Sequence, residues 1–397
     1  MDFEKSYDVI VAGAGIAGVA AAVQAAREGK KTVLIEKTII PGGLATAGLV
    51  YVYLPLCDGE GHQVSFGITE ELLKLSIQYG PGDIPDFWAK VPDANEKERY
   101  QVIFSPAAYV LALDEYLVQN GVDVWYDTLI CDTRVENNKI TGVYVENESG
   151  RGLLKAKCVV DASGTAILAR RAGIPCHTAP NFLSIWDIEY KKSQEQSALG
   201  APVAMHTYGV PWDVTKAPEG TVFYGIDGAT VTDFVLKSRK MLLDEMKSCY
   251  AAGADRKDYY SLKVPLMPQF RKIFSIDAKY VLRDTDSATR FEDSIGLAAD
   301  WRRCGSVWEI PYSSMIPDSP IGGYIAAGRC TGAETDAWEV TRVIPVAGLT
   351  GQVAGLAAAM SIDAGVDPAD LDVSALQAKL RTLGFPLHMP EVGLTYK

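Results

Sequence analysis

A glycine-rich turn between two apolar runs near the start of the chain constrains the fold more than any other feature. Residues 9–11 form a short apolar run of the kind found in buried parallel strands. Gly13, Gly15 and Gly18 follow as G-x-G-x-x-G, which permits a tight turn, close backbone approach to a pyrophosphate and close helix–strand packing. Residues 20–27 favour a helix, whose N-terminus would face the phosphates with free N–H groups. This order predicts a βαβ unit that binds a dinucleotide.

A carboxylate after the second apolar run supports the same interpretation. Residues 32–35 are predicted to form the second strand, and Glu36 ends it. An acid at this distance from the glycines accepts hydrogen bonds from ribose hydroxyls and repels a 2′-phosphate. The alternative is a tight glycine turn beside a solvated Glu36. The order of strand, glycines, helix, strand and acid favours the dinucleotide site.

Composition argues against several other classes of protein. The net charge of −12 disfavours nucleic acid as a partner, because a phosphate backbone needs a basic surface. The sequence has no run of about twenty apolar residues, so we predict no membrane span, and the first residues show no secretion signal. The seven cysteines and four histidines are scattered without metal-ligand spacing. We therefore expect reduced thiols, no metal and a cytoplasmic location.

Turn and cap residues recur further along the chain. Gly42 and Gly43 would allow a flat or phosphorylated ligand to approach the backbone closely. Ser105 is predicted to cap a helix that has Pro106 in its first turn. Residues 80–98, rich in Pro, Asp and Gly, are predicted to form a surface loop.

The middle of the chain has a different composition. Residues 178–320 contain many aromatic residues and prolines, and helices are predicted around 235–252 and 265–274. An insertion between parts of a nucleotide-binding fold usually forms the second wall of an active site. We therefore predict a discontinuous nucleotide-binding domain, residues 1–177 and 321–397, and an inserted substrate domain, residues 178–320.

The C-terminal part combines a glycine turn with a glycine-containing helix. Pro345 suits the first turn of a helix that continues to residue 360 with Gly348, Gly351 and Gly355 inside it. Each interior glycine costs about 0.5–1 kcal/mol, so close packing is the expected compensation. The positive end of this helix dipole, with Arg342 beside it, would stabilise negative charge on a ligand. The alternative is a core helix with a structural arginine.

Together these motifs resemble the FAD-dependent oxidoreductases of the glutathione-reductase superfold, allied to the fumarate reductase and succinate dehydrogenase branch. The resemblance implies an α/β fold, with a Rossmann-type FAD-binding domain built on a βαβ parallel sheet and an inserted α+β substrate domain. No His lies between residues 41 and 50, so the FAD is expected to be bound non-covalently. The motifs are Gly-Ala-Gly-Ile-Ala-Gly (13–18), Pro-Gly-Gly-Leu-Ala-Thr (41–46), Phe-Ser-Pro (104–106), Asp-Ala-Ser-Gly (161–164), Ala-Gly-Arg-Cys (327–330) and Arg-Val-Ile-Pro (342–345).

The resemblance places the FAD against several separate stretches of the chain, with the loop after residue 41 passing the flavin. The predicted cofactor-binding residues are Gly13, Gly15, Ile16, Ala17, Gly18, Glu36, Lys37, Gly42, Gly43, Leu44, Ala45, Thr46, Val135, Ala162, Ser163, Gly164, Gly328, Arg329, Ile344 and Ala347.

A flavin carries hydride or electrons, so the protein must supply position, electrostatics and a proton donor or acceptor. Arg271, Arg283 and Arg302 could bind a substrate carboxylate bidentately, although each has a structural alternative. The candidate catalytic residues are Arg342, His206, Tyr280, Tyr312 and Asp336.

Three functions are compatible with these features. The favoured one is an oxidoreductase that acts on a small organic molecule in a pocket between the two domains. A non-redox flavoprotein would instead use FAD as a scaffold for a hydratase, lyase or isomerase reaction. An electron-transfer subunit would pass electrons to a protein partner, but the chain shows no Fe–S cysteine spacing. Association into a homo-oligomer is left open.

Overall fold

A computed structural model describes residues 1–84 and 99–397, so most of the loop predicted at 80–98 lies outside the described residues. The helices are α1 (Ile16–Arg27), α2 (Ile68–Ile77), α3 (Pro106–Gln119), α4 (Ile167–Ala172), α5 (Gly228–Ala251), α6 (Thr335–Thr341), α7 (Ile344–Ala364) and α8 (Val373–Thr382). The strands are β1 (Phe3–Ser6), β2 (Val9–Ala12), β3 (Thr32–Ile35), β4 (Val52–Tyr53), β5 (Val102–Ile103), β6 (Asp123–Trp125), β7 (Leu129–Glu136), β8 (Lys139–Asn147), β9 (Gly150–Lys155), β10 (Cys158–Asp161), β11 (Cys176–His177), β12 (Asn181–Phe182), β13 (Ser184–Lys191), β14 (Val203–Gly209), β15 (Val222–Phe223), β16 (Tyr259–Lys263), β17 (Ser275–Ile276), β18 (Ser294–Ala299), β19 (Val307–Pro311) and β20 (Tyr324–Ala326).

A five-stranded parallel sheet in the order β20-β10-β2-β3-β6 carries the fold. Its central strand β2 is buried on both faces. Val9 and Val11 belong to the apolar cluster that contains α1 and α7, whereas Ile10 and Ala12 belong to the cluster on the opposite side. Such two-sided burial is typical of parallel sheets and explains why this strand is apolar throughout. The Rossmann-type α/β fold is confirmed.

The interior glycines of α7 allow it to lie directly on α1. A Cβ atom at Gly351 would lie 2.8 Å from Ala17 Cα, and one at Gly355 would lie 3.1 Å from Ala21 Cα. Both positions also face carbonyl oxygens of α1. Side chains there would push the helices apart, so the close packing expected from the sequence is present.

Helix α7 is also unusually apolar. In the part of the chain that the structure describes, it is the one helix long and apolar enough to cross a membrane, and 94% of its most apolar window is buried inside the protein. Gly365 ends it in the left-handed conformation, with φ at 68°. The absence of a membrane partner stays a prediction.

A second sheet, in the order β1-β9-β8-β7, lies against the parallel one. The hairpin between β7 and β8 turns at Asn137 and Asn138, whose φ angles of 50° and 58° are left-handed. Asparagine tolerates this conformation better than most residues, which explains why it occupies both turn positions.

The inserted region contains the antiparallel sheet β14-β13-β16 beside α5. The helix predicted at 235–252 is confirmed as α5, which begins earlier because Asp227 accepts a 2.9 Å hydrogen bond from Thr230 N. The prediction of a helix at 265–274 is wrong, because the structure shows bends and irregular backbone there. Pro268 has no N–H to donate, and Leu266 N donates to Ala47 O at 2.8 Å instead of to a helical turn.

The domain boundaries at 177/178 and 320/321 stay predictions. Packing within the inserted range is not uniform. Ile295 on β18 and Trp308 on β19 belong to the same apolar cluster as α1 and α7, whereas Leu183 and Phe234 form a separate cluster.

Candidate functional site

A cleft of about 210 Å³ opens where β2, β3, β10 and β20 reach their carboxyl ends. Each strand leads into a turn that faces this space, which is where open parallel sheets bind ligands. We call it the glycine-lined cleft. The predicted cofactor-binding residues that line it are Gly13, Gly15, Ile16, Ala17, Glu36, Lys37, Gly42, Gly43, Leu44, Ala45, Ala162, Ser163, Gly164, Gly328, Arg329, Ile344 and Ala347.

The first glycine turn brings bare backbone to the cleft. Gly13 has φ at 91°, and a Cβ there would lie 2.8 Å from Ser163 Cα, so no other residue fits. Helix α1 starts beyond Gly15, and no side chain from the described residues caps it. Its first N–H groups are therefore available to an anion.

Gly18 does not line the cleft, in contrast to its neighbours. A Cβ at Gly18 would lie 3.0 Å from the carbonyl carbon of Gly13. This glycine therefore holds α1 against the turn, and its contribution to a ligand site is indirect.

The Glu36 carboxylate is held in place at the cleft wall. It accepts hydrogen bonds of 2.9 Å from Ala14 N, Thr38 N and Thr38 Oγ1. Charge-assisted bonds of this kind fix the orientation of a carboxylate. The acid and the glycine turn are therefore one hydrogen-bonded unit.

The loop after β3 packs on the glycine turn. Gly42 N donates to Ala14 O at 2.7 Å, and a Cβ at Gly43 would lie 3.1 Å from Gly15 Cα. Thr46 does not line the cleft, because its buried hydroxyl donates to the Pro41 carbonyl inside the loop, and its ligand contact stays a prediction. Thr46 therefore stabilises the loop instead of lining the cleft.

Val135 does not reach the cleft either. It lies on β7 in the second sheet, and 38% of it is exposed to solvent. It is not among the residues that line the cleft. Its assignment to the cofactor site therefore stays a prediction that the shape of the cleft does not support.

Arg329 forms the wall opposite the glycine turn. Its Nη1 donates to the carbonyl oxygen of Phe270, and its guanidinium lies where a side chain at Gly164 would have to go. Burial lowers the pKa of Arg329 to about 10. Nearby, α7 begins after Val343 without a side-chain cap from the described residues, so its positive end is also open.

A larger cavity of about 790 Å³ adjoins the cleft. Trp212, Trp301 and Trp338 line it, and we call it the tryptophan-lined cavity. Arg342 lines both spaces and therefore lies where they meet.

Arg342 belongs to a buried ionic group. Its Nε donates to Glu339 Oε2 at 2.8 Å, and Lys272 Nζ lies 2.7 Å from Glu339 Oε1. Burial alone would raise the pKa of Glu339, but the two cations beside it lower this pKa to about 2. The group therefore carries two positive charges and one negative charge at the junction.

The other candidate catalytic residues are divided between the cavity and distant positions. Asp336 lines the tryptophan-lined cavity, where it bonds Arg302 Nη1 at 2.8 Å and Arg303 Nη2 at 2.9 Å. It is already paired and therefore a weak candidate for proton transfer.

His206, Tyr280 and Tyr312 line neither space. His206 lies on β14, 3.3 Å from Glu189, and Tyr280 packs edge-on against Phe291 with ring centroids 5.0 Å apart. Tyr312 is buried and donates to a backbone carbonyl at 2.9 Å. The catalytic roles of these three residues stay predictions, which their positions outside the cleft and the cavity do not support.

Several lining residues of the cleft were not predicted. Met267, Pro268, Phe270 and Ile273 come from the inserted region, and Thr38 comes from the loop after β3. No local motif marks the four inserted residues, because only tertiary packing brings them to the cleft.

One side chain joins the inserted region to the loop after β3. Gln269 Nε2 donates to the carbonyl oxygen of Gly48, while its Oε1 accepts a 2.9 Å bond from Trp186 N. The amide is buried, so both bonds are protected from water.

The described ranges, 1–84 and 99–397, contain no group of three His, Cys, Asp or Glu side chains that could hold a metal ion. The predicted absence of a metal is a statement about the whole chain and stays a prediction.

The sequence is similar to parts of several known proteins. It is 32% identical to the digeranylgeranylglycerophospholipid reductase of Picrophilus torridus over 164 residues. This match covers 41% of this chain and 40% of that protein. It is 29% identical over 202 residues to the probable electron transfer flavoprotein-quinone oxidoreductase YgcN of Escherichia coli, covering 49% and 45%. The chain thus matches less than half the length of these relatives.

Similar solved structures support the fold. A geranylgeranyl bacteriochlorophyll reductase-like protein from Thermoplasma acidophilum aligns with a TM-score of 0.51 and 15% identity, over 96% of this chain and 83% of that one. At this identity the likeness shows the fold alone.

A sequence model of the family described as FAD dependent oxidoreductase matches residues 8–181 and 186–380, which is most of the chain. The matched ranges include every turn of the glycine-lined cleft. The protein therefore belongs to the FAD-dependent oxidoreductase family, and FAD is the cofactor that this membership implies.

Proposed function

We propose that FAD lies in the glycine-lined cleft and exchanges a hydride or electrons with a small organic substrate in the tryptophan-lined cavity. The observation that carries this proposal is the position of Arg342, which lines both spaces. A residue shared by a cofactor site and a substrate site stands at the place where the reacting atoms meet.

The residues of the glycine-lined cleft fit an extended dinucleotide. Gly13 and the uncapped start of α1 offer backbone N–H groups without side chains, which suits the pyrophosphate. Glu36 is oriented as an acceptor, which suits ribose hydroxyls. The open positive end of α7 suits the electron-rich edge of the flavin ring.

The flavin supplies the redox chemistry when it is bound, and the chain supplies position and charge. Arg342 is held by Glu339, so its guanidinium stays fixed at the junction, where it can orient a polar substrate group. Trp301 and Trp338 belong to the wall of the neighbouring cavity, where Trp301 supplies apolar surface. A fixed cation beside the reacting centre stabilises negative charge that develops during transfer.

The test starts with the purified protein as isolated. It should be yellow, release FAD on denaturation, and lose its visible absorption when the right metabolite is added without oxygen. Product formation while the oxidised spectrum persists would instead indicate a non-redox reaction. A preparation that neither contains FAD nor binds added FAD would refute the proposal.

A further inference from the structure

One arginine in the wall of the tryptophan-lined cavity has a hydrogen-bond donor atom that is not paired within the described residues. Arg271 lines this cavity, and its Nη2 atom is buried without a hydrogen-bond partner among the described residues. The residue is not loosely placed. Its backbone N donates to Asn181 Oδ1 at 2.7 Å, and its guanidinium lies over the ring of Trp186, 5.3 Å from the centroid.

The charge of Arg271 is also uncompensated. The nearby carboxylate, Glu339, is already bound by Arg342 and Lys272. No ion pair joins Arg271 to a carboxylate within residues 1–84 and 99–397. Burial, with repulsion from Arg342 and Arg329, lowers the pKa of Arg271 to about 9. A buried cation without an anion is costly, so an anionic ligand is the expected partner.

Indole rings supply apolar surface to part of the cavity wall, which also carries charged side chains such as Lys272, Arg302 and Asp336. Trp301 Nε1 donates to Glu339 O at 3.1 Å, and Trp338 Nε1 donates to Arg329 O at 3.2 Å. Because both indole N–H groups are used within the protein, the ring surface that faces the cavity is apolar, and Trp301 supplies more of it than Trp338, which is only 1% exposed. The volume of about 790 Å³ is in the range of pockets that bind small organic molecules.

We propose that Arg271, stacked on Trp186, anchors the carboxylate of a small substrate whose apolar or aromatic body lies against Trp301. The planar guanidinium matches a carboxylate in geometry as well as in charge. Arg271 thus selects organic acids as the substrate class. This inference rests on the proposed function, because it assigns the tryptophan-lined cavity to the substrate.

The test compares phenylacetate with phenylacetamide, which has the same shape without the charge. Binding to the holoprotein is followed by the change in flavin absorption and, independently of the flavin, by the shift in melting temperature. We expect phenylacetate to bind at least tenfold more tightly than the amide. Arg271→Gln should weaken phenylacetate binding by roughly 10- to 100-fold, the range of a charge-assisted hydrogen bond.

Two variants separate anchoring from a structural role. Arg303→Gln removes the same charge from an arginine that is 62% exposed and paired with Asp336, and it should bind phenylacetate as the wild type does. Arg271→Gln should keep its FAD and melt no lower than the wild type, because it removes an unpaired buried cation.

Equal binding of the acid and the amide, or undiminished binding of the acid to Arg271→Gln, would overturn the inference. Loss of FAD from Arg271→Gln would overturn it too, since the arginine would then serve the cofactor. A protein that lacks FAD but still distinguishes the acid from the amide through Arg271 would refute the proposed function and leave the anchor supported.

Discussion

Replacement of Gly351 by Ala tests whether the contact between α1 and α7 holds the cofactor site together. The new methyl group would lie 2.8 Å from Ala17 Cα, whereas carbon atoms normally approach to about 3.5–4.0 Å. The neighbouring atoms are backbone and cannot rotate away, so one helix must move by about 1 Å.

The expected loss of stability combines two opposing effects. Overpacking of a core costs about 1–3 kcal/mol, and alanine recovers about 0.5–1 kcal/mol of helix propensity. The net loss is therefore at most about 2.5 kcal/mol, with a central value of about 1 kcal/mol. In a chain of 397 residues, each kcal/mol lowers the melting temperature by only about 1 °C, so denaturant unfolding is the better assay.

The same movement should weaken FAD binding, because Ala17 lines the glycine-lined cleft. We expect the dissociation constant of FAD to rise on the order of tenfold, measured by titration of the apoprotein. Gly228→Ala is the matched control, because no heavy atom lies within 4 Å of its Cβ position at the start of α5. It should be neutral or stabilising, by up to about 1 kcal/mol. A Gly351→Ala protein that unfolds and binds FAD like the wild type would refute this account of the helix contact.

Three further predictions concern charged side chains. Glu36→Gln should raise the dissociation constant of FAD about tenfold, because it replaces the carboxylate that Ala14 N bonds; an unchanged titration would contradict the assigned role. Arg342→Gln should slow anaerobic flavin reduction by roughly 100-fold while FAD content stays normal, as stopped-flow absorbance would show, and an unchanged rate would exclude it from the reaction. Burial and the neighbouring Glu189 raise the pKa of Asp187 to about 7, so its ionisation destabilises the folded state increasingly as pH rises from about 4 to about 7. Asp187→Asn should therefore raise the free energy of unfolding by on the order of 2–4 kcal/mol at about pH 8 and by less at about pH 5; a gain that does not grow with pH would show that this carboxyl titrates normally.

The parts of the cleft that could be predicted are those fixed by neighbouring residues. Gly13 needs a left-handed φ, and Glu36 ends the strand beside it, so each is recognisable from a few residues of sequence. The same holds for Pro345 in the first turn of α7.

The parts that could not be predicted depend on contacts between distant segments. Phe270 lines the cleft from an irregular segment, whereas its local sequence suggested a helix. His206 has suitable chemistry, but β14 places it beside Glu189. Arg271 was one of several candidate arginines, and only the structure shows that its Nη2 atom has no partner among the described residues.

The Gln269 amide has a consequence for how the protein loses its ligands. One of its hydrogen bonds goes to Gly48, which follows the loop that would pass the flavin, and the other goes to Trp186. The Trp186 ring in turn lies under the guanidinium of Arg271. A disturbance on the substrate side must therefore strain the backbone on the cofactor side. Release of FAD and exposure of the inserted region to a protease should then occur together, as one cooperative opening.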